Sequence, residues 1–330
     1  MSRKTRQAKY DFIRVTAMLA VVLFHLLGHI SAEPYGTKWW VKSCLLLLFS
    51  TSNGLFFLLS GKFNLTEKNS SEPLRFYVRR TVTVILPFLI CSGICYLTEK
   101  YTLGTDGSYV MALIRTFPST HYWFVYELTG LLFWTPFFAR AVKEIRMRDA
   151  VILTLGVLTA QGIFVLLKDL GAYPGYELPL MGWPLFYFAG SFADKVPEKW
   201  RRRVIVAGSV SLLLSLFQMR VLPDASHGLQ DLSPRYFLMV LALYYLLQKI
   251  PVTGWRGKAV LAISRNSYYV YLFHNTVITM MFSEVLGFYD LMMPRTGTAL
   301  YLLLTVFLSI TISCLMGAII RRLLDLIPVR

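Results

Sequence analysis

Long apolar runs recur along the whole chain and are separated by short polar segments. Because about 20 consecutive apolar residues suffice to cross the hydrocarbon core of a bilayer, this pattern predicts about ten transmembrane helices. The sixth of these segments is the weakest, since it is short and carries Pro184. The predicted fold is therefore all-α: a polytopic membrane helical bundle, with residues 1–330 as a single membrane domain and no soluble domain. The ten spans are expected at about 12–30, 41–61, 80–98, 121–139, 150–167, 180–194, 204–221, 235–249, 260–284 and 298–320.

Composition and charge agree with that assignment. Hydrophobic residues make up 55% of the 330 residues and charged residues only 16%, against about 25% charged residues in soluble domains. A net charge of +16 would suggest nucleic acid as partner of a soluble protein, but here Lys and Arg alternate between the two sides of the predicted spans. The positive-inside rule then places both termini in the cytoplasm of a multi-pass protein of the cell membrane, with the lipid bilayer as partner and no nucleic acid.

The first predicted span is unusual because it carries ionisable residues. Asp11, Arg14, His25 and His29 lie in or at the end of an otherwise apolar run. Arg14 and His25 are eleven residues apart, which is close to three helical turns, so both side chains are expected on one face about 16 Å apart along the axis. Ionisable residues within a membrane mark a functional site by default. The alternative is that Asp11 and Arg14 anchor the helix at the membrane surface.

Two further spans carry ionisable residues at a depth similar to that of His25. Glu127 lies in the fourth span and His274 in the ninth. Burying the three groups separately in lipid would be costly, so we expect them to share a polar cavity. Alternatively, His274 packs between helices, and Glu127 pairs with a base for folding alone.

Residues near the two membrane surfaces are the remaining candidates. The adjacent guanidinium groups of Arg79 and Arg80 could hold phosphate, or could serve as ordinary cytoplasmic anchors. His121 lies beside Tyr122 and Trp123, and an aromatic belt at the outer interface explains that cluster equally well.

The sequence lacks several familiar sites. Four cysteines, Cys44, Cys91, Cys95 and Cys314, fall in apolar runs without the ligand spacing of a metal site, so we expect buried structural thiols and no metal. There is no phosphate-binding loop, dinucleotide-binding glycine motif or nucleophile elbow.

Several segments together resemble the membrane-bound acyltransferase family 3. Asp11, Arg14 and His25 resemble the opening of that family, and further similar segments follow in the same order over most of the chain. The chain departs from the family at two places: Thr83 and Val84 stand where a second arginine usually follows the one that matches Arg80, and Lys62 replaces an apolar residue. Arg75 or Arg79 is the expected substitute for that arginine. The similar segments are FFLLSG at 56–61, FYVRRTVTVILPF at 76–88, HYWFVYELTGLLFWTPF at 121–137 and ISRNSYYVYLFHN at 263–275.

The resemblance implies an O-acyltransferase that moves an acyl group, commonly acetyl, from cytoplasmic acetyl-CoA to a hydroxyl of an envelope glycan or lipid-linked sugar. Acetyl-CoA is then a co-substrate, with no permanently bound cofactor. His25 would act as base or acyl carrier, because imidazole can do either near neutral pH. Glu127 and His274 would orient the acceptor or His25. The binding residues expected for donor and acceptor are Asp11, Arg14, Arg79, Arg80, His121 and Trp123.

A second class of protein fits the same residues. Intramembrane His, Glu and Arg are also typical of proton relays, so a transporter of a glycan precursor or of a proton-coupled solute is the alternative. No internal inverted repeat supports it. Cleavage of acetyl-CoA by the purified protein would separate the two functions.

Overall fold

A computed structural model describes residues 8–33, 36–104, 107–115, 117–172, 182–221 and 233–326. These residues form α-helices joined by short connections, and they contain no β-strand. A π-helical turn, Thr81–Ile85, joins the fifth and sixth helices, and short 3₁₀ turns lie at Thr120–Tyr122 and Ala193–Lys195. The α-helices are α1 Ala8–Gly28, α2 Thr37–Ser50, α3 Ser52–Asn64, α4 Glu67–Ser71, α5 Pro73–Arg80, α6 Leu86–Leu103, α7 Tyr109–Arg115, α8 Trp123–Glu144, α9 Met147–Asp169, α10 Trp183–Phe192, α11 Glu198–Val221, α12 Pro234–Gln248, α13 Gly254–Ser264, α14 Ser267–Phe282, α15 Phe288–Thr296 and α16 Thr298–Leu324.

Within the described residues, six helical stretches are long and apolar enough to cross a membrane, which identifies a helical membrane protein. The other four predicted spans correspond to α8, α10, α12 and α14. The last three have only 10, 15 and 16 residues, fewer than the roughly 20 that a crossing needs. The count of ten crossings therefore stays a prediction. The six stretches are Ala8–Gly28, Thr37–Asn64, Pro73–Leu103, Met147–Leu167, Glu198–Val221 and Thr298–Leu324.

The helices divide into an inner and an outer set. Many side chains of α3, α10, α12 and α14 are buried. In contrast, α9, α11 and α16 expose large apolar side chains such as Leu155, Phe217 and Leu315. Rows of exposed apolar side chains are expected where lipid surrounds the protein. The inner helices therefore build the interior in which buried polar groups can meet.

Some helix boundaries differ from the predicted ones. The predicted ninth span is two helices, α13 and α14, which meet at Arg265 and Asn266. The segment 62–79, between the second and third predicted spans, contains α4 and α5, and the segment 99–120, between the third and fourth, contains α7. Hydrophobic periodicity does not detect such short polar helices, because they have too few turns to show a period. Of the four cysteines, Cys91 and Cys95 are buried as expected, whereas Cys44 and Cys314 are only half-buried.

Two glycines allow α3 and α10 to pack backbone against backbone. A Cβ atom at Gly61 would overlap the carbonyl oxygen of Tyr187, and one at Gly190 would overlap that of Leu58. Small residues at a membrane helix crossing permit this close approach. The crossing fixes α3, which carries FFLLSG, against the centre of the bundle.

Asp194, just after α10, binds donors from three other helices. Its carboxylate accepts hydrogen bonds from the Tyr10 hydroxyl at 2.6 Å, from Tyr244 at 3.1 Å and from Gln248 at 3.0 Å. Lys62, the residue that departs from the family pattern, forms an ion pair with the same carboxylate. The polar group at position 62 is therefore matched by a partner within this chain.

Candidate functional site

Three histidines from separate parts of the chain meet in the interior; we call them the histidine triad. His25 lies near the end of α1, His121 in the 3₁₀ turn before α8, and His274 in the middle of α14. The ring centroids of His25 and His274 are 5.1 Å apart, those of His25 and His121 5.9 Å, and those of His121 and His274 5.0 Å. The structure thus brings His25 and His274 together, as expected, and adds His121 as the third member.

Hydrogen bonds fix the orientation of two of these rings. His274 Nδ1 lies 2.7 Å from the Tyr271 carbonyl oxygen, and since a carbonyl only accepts, Nδ1 is assigned the proton. Nδ1 of His121 lies 2.9 Å from the Ser119 hydroxyl. Within the described residues, the Nε2 atoms of His121 and His274 are buried and have no hydrogen-bond partner. Buried polar atoms without partners are uncommon, and a catalytic role is one of the recognised reasons for them.

The triad borders a small space that we call the histidine cavity, with a volume of about 80 Å³. His25, His121 and Trp123 contribute to its lining, and Trp123 packs against Trp183 with ring centroids 5.2 Å apart. Polar groups from the start of α3 complete the cavity, so it can hold a small polar group beside the imidazoles. Its lining residues are Val21, Phe24, His25, Ser52, Asn53, His121, Trp123 and Tyr271.

A larger space, the arginine cavity, lies beside the first one and has a volume of about 240 Å³. Arg14 and Arg80 contribute to its lining, and Tyr271 lines both cavities. Two of the basic residues predicted to bind the donor therefore lie next to the chamber lined by His25 and His121. The arginine cavity is lined by Arg14, Phe56, Ser60, Asn64, Arg80, Thr83, Val84, Phe124, Leu128, Leu132, Ser267, Tyr268 and Tyr271.

Polar partners hold Arg14 in the wall of the arginine cavity. Asp11, which is buried, lies 3.0 Å from Arg14 Nη1 and accepts a hydrogen bond from the Ser264 hydroxyl at 2.7 Å. Arg14 also donates to Ser264 at 3.2 Å. Because α13 ends at Ser264, the break before α14 brings this hydroxyl to α1. Asp11 is thus placed to orient Arg14 rather than to line the cavity itself.

A π-helical turn follows Arg80 and shapes the other wall. The Asn64 side-chain oxygen accepts a hydrogen bond from Arg80, and the Tyr268 hydroxyl donates to the carbonyl oxygen of Val84, within the π turn, at 3.0 Å. Single π turns are often found at functional sites. Thr83 and Val84, where the family's second arginine is missing, line the cavity with Arg80.

Arg75 and Arg79 lie elsewhere. Arg79 donates to the Asn69 side-chain oxygen at 2.9 Å, and Arg75 pairs with Glu72 in an exposed position. Neither lines the arginine cavity, so the guanidinium that accompanies Arg80 there is that of Arg14. Neither Arg75 nor Arg79 therefore supplies the second guanidinium group of this cavity.

Glu127 is half-buried on α8, six residues after His121. It lines neither the histidine cavity nor the arginine cavity. Six helical residues correspond to a rotation of about 240° beyond a full turn about the helix axis. The side chains of His121 and Glu127 therefore point to different sides of this axis. The grouping of Glu127 with His25 and His274 therefore stays a prediction, while His121 is the ring that lies beside both.

The sequence reasoning missed Tyr271, Asn64 and Ser264. Tyr271 lines both cavities and its hydroxyl donates to the His121 carbonyl oxygen. Its position three residues before His274, on the same face of a helix, is the signal that could have indicated it. Asn64 and Ser264 act through Arg80 and Arg14, and no spacing rule connects such distant positions.

The fold and these two cavities define a class of protein: a helical membrane protein with an imidazole cluster in its interior beside an arginine-lined cavity. A family model described as an acyltransferase domain matches residues 7–316. The chain therefore belongs to the acyltransferase 3 family, as its motifs suggested. No curated protein and no solved structure matches the chain significantly.

Proposed function

We propose that the protein is an O-acyltransferase that moves an acetyl group from cytoplasmic acetyl-CoA to a hydroxyl of an envelope glycan or lipid-linked sugar. Membership of the acyltransferase 3 family supports the reaction class. The observation that carries the proposal is the contact between the arginine cavity and the histidine cavity at Tyr271. One donor molecule would then span both cavities, with its phosphate groups at the arginine cavity and its thioester beside a proton-accepting ring.

The arginine cavity would take the narrow pantetheine arm of the donor. At about 240 Å³ it is smaller than the roughly 300–1,000 Å³ of typical small-molecule sites, so the nucleotide would remain outside. Guanidinium groups bind phosphate with charge-assisted hydrogen bonds, and Arg14 and Arg80 are the residues proposed for that role.

His25 is proposed as the general base, because it lines the cavity where the acyl group would arrive. As the acceptor oxygen attacks the thioester carbonyl carbon, a C–O bond forms, the C–S bond breaks and the hydroxyl proton passes to His25. That proton then goes to the sulfur, which leaves as the free thiol of CoA. In the alternative, His25 itself carries the acyl group between donor and acceptor.

The other triad members are proposed to orient His25 and the acceptor. His274 is held by its own helix backbone, and His121 by Ser119 and by the hydroxyl contact of Tyr271 with its carbonyl. Trp123 would offer an apolar face to a sugar ring. Glu127 is given no step in this mechanism, since it lines neither cavity.

The proposal also includes the topology: ten crossings of the cell membrane with both termini in the cytoplasm, from the distribution of Lys and Arg. Reporter fusions should place Ser70 inside and Asp106 outside. Asp106 lies beyond the described residues, so its side rests on charge alone. Finding both positions on one side would contradict this topology.

Purified protein in detergent should release CoA thiol from acetyl-CoA when an acceptor is supplied, and acetyl esters should appear on envelope glycans by mass spectrometry only when the gene is present. Intact-mass measurement after donor alone would detect an acylated His25. A protein that moves a solute across vesicles but never cleaves the thioester would support the transporter instead.

A further inference from the structure

Three aromatic rings stand where the arginine cavity and the histidine cavity meet; we call Phe56, Phe124 and Tyr271 the aromatic barrier. Phe56 and Phe124 line the arginine cavity, and Tyr271 lines both. The ring centroids are 5.9 Å apart for Phe56 and Phe124, 6.5 Å for Phe56 and Tyr271, and 5.2 Å for Phe124 and Tyr271. The rings therefore pack against one another, and an acyl group passing between the cavities would meet them.

Neighbouring residues hold the rings of the aromatic barrier in place. Tyr271 is buried and its hydroxyl bonds to the His121 carbonyl oxygen. Phe124 packs on Phe57 at 4.6 Å between centroids, and Phe57 stacks on Trp183 at 4.9 Å. The three rings also come from three helices, α3, α8 and α14. Closely packed rings on separate helices cannot yield without moving their neighbours.

The chamber beyond the barrier is small. The histidine cavity measures about 80 Å³, a third of the arginine cavity at about 240 Å³. We expect a two-carbon acetyl group to fit beside the imidazoles, whereas the rest of an eight-carbon chain would have to lie among the three barrier rings.

We propose that the aromatic barrier sets the length of the acyl group, so that the enzyme accepts acetyl-CoA and rejects longer acyl-CoA donors. This inference rests on the proposed acyl transfer and adds the residues that limit the length of the donor's acyl group. Phe56 is the member most open to change, because it is only half-buried, whereas Phe124 and Tyr271 are buried. One excess methylene in a tight pocket reduces the specificity constant by about 10–200-fold, so even butyryl-CoA should be a poor donor.

The experiment compares acetyl-, butyryl- and octanoyl-CoA as donors for purified wild-type protein and for Phe56→Ala and Phe56→Leu, with thiol release as the readout. We expect wild type to prefer acetyl-CoA over octanoyl-CoA by at least about a hundredfold in kcat/KM. Phe56→Ala should reduce that preference at least about tenfold, mainly by raising octanoyl turnover. Phe56→Leu keeps apolar volume on α3 and should act in the same direction if Phe56→Ala does not fold.

A control variant isolates the barrier. Phe137→Ala removes the same ring from a lipid-exposed position on α8, 58% exposed, and should leave the donor preference unchanged. A change in preference with Phe137→Ala equal to that with Phe56→Ala would show that the effect is not local to the barrier.

Different results would contradict the aromatic barrier and the proposed acyl transfer. A wild type that uses octanoyl-CoA as well as acetyl-CoA, or folded Phe56 variants with unchanged preference, would overturn the barrier while leaving acyl transfer intact. Protein that cleaves none of the three thioesters would overturn the proposed function and this inference with it.

Discussion

The ion pair between Lys62 and Asp194 should contribute to the stability of the fold. Replacing Lys62 by Met, close to the apolar residue usual in the family, would leave the Asp194 carboxylate with Tyr10, Tyr244 and Gln248 as donors but without its ion-pair partner. A buried charge that loses its partner typically costs 3–5 kcal/mol. The two side chains here are 21% and 24% exposed, and water at that exposure screens part of the charge. We therefore expect the free energy of unfolding to fall by about 1–3 kcal/mol.

The assay for the ion pair is a double-mutant cycle on the free energy of unfolding in detergent. Lys62→Met and Asp194→Asn should each destabilise, and the double variant should be more stable than the sum of the two losses predicts, with a coupling of about 1–2 kcal/mol. The matched control is Lys143→Met. Lys143 pairs with Glu67 where both side chains are more than half exposed, and its loss should have no measurable effect on unfolding. Strictly additive losses at positions 62 and 194 would refute the reasoning.

Two further predictions concern donor binding and helix packing. Arg80→Ala should raise the apparent KM for acetyl-CoA about ten- to a hundredfold with little effect on kcat, because one charge-assisted contact is worth about 1.5–3 kcal/mol. The control is Arg75→Ala, at an exposed position. An unchanged KM for Arg80→Ala would show that Arg80 does not bind the donor. Gly190→Ala should lower the free energy of unfolding by about 1–3 kcal/mol, since the added Cβ would overlap the backbone of α3. Gly130→Ala, where nothing lies within 4 Å, should be neutral, and equal melting temperatures for the two glycine variants would contradict the tight α3–α10 crossing.

The sequence indicated the helical membrane class and the importance of the first span, because long apolar runs and misplaced charges are visible without a structure. It also indicated the family, since the order of the similar segments is a property of the chain. It did not indicate that α10, α12 and α14 are too short to meet the length criterion for a crossing, because apolar side chains buried among other helices resemble those facing lipid.

The site was less accessible to prediction than the fold. Periodicity states which face of a helix a residue occupies, but not which neighbouring helix that face meets. The contact of His121 with His25 and His274 was therefore not predicted, because the aromatic residues beside His121 are equally typical of a membrane interface. Tyr271 escaped notice for the same reason: its importance depends on two cavities that exist only after α3, α8 and α14 pack together.

The central claim is that an imidazole of the histidine triad carries out acyl transfer, and turnover of acetyl-CoA by His25 variants tests it most directly. His25→Ala should lose at least about a hundredfold in kcat, the low end for general acid–base catalysis, while remaining inserted and folded. His29→Ala is the matched control: it lies one turn further along, exposed and stacked on Phe282 at 5.0 Å between centroids, and should keep wild-type turnover. If folded His25→Ala or His25→Gln turns over acetyl-CoA at a rate close to wild type, His25 is neither base nor acyl carrier and the account is wrong.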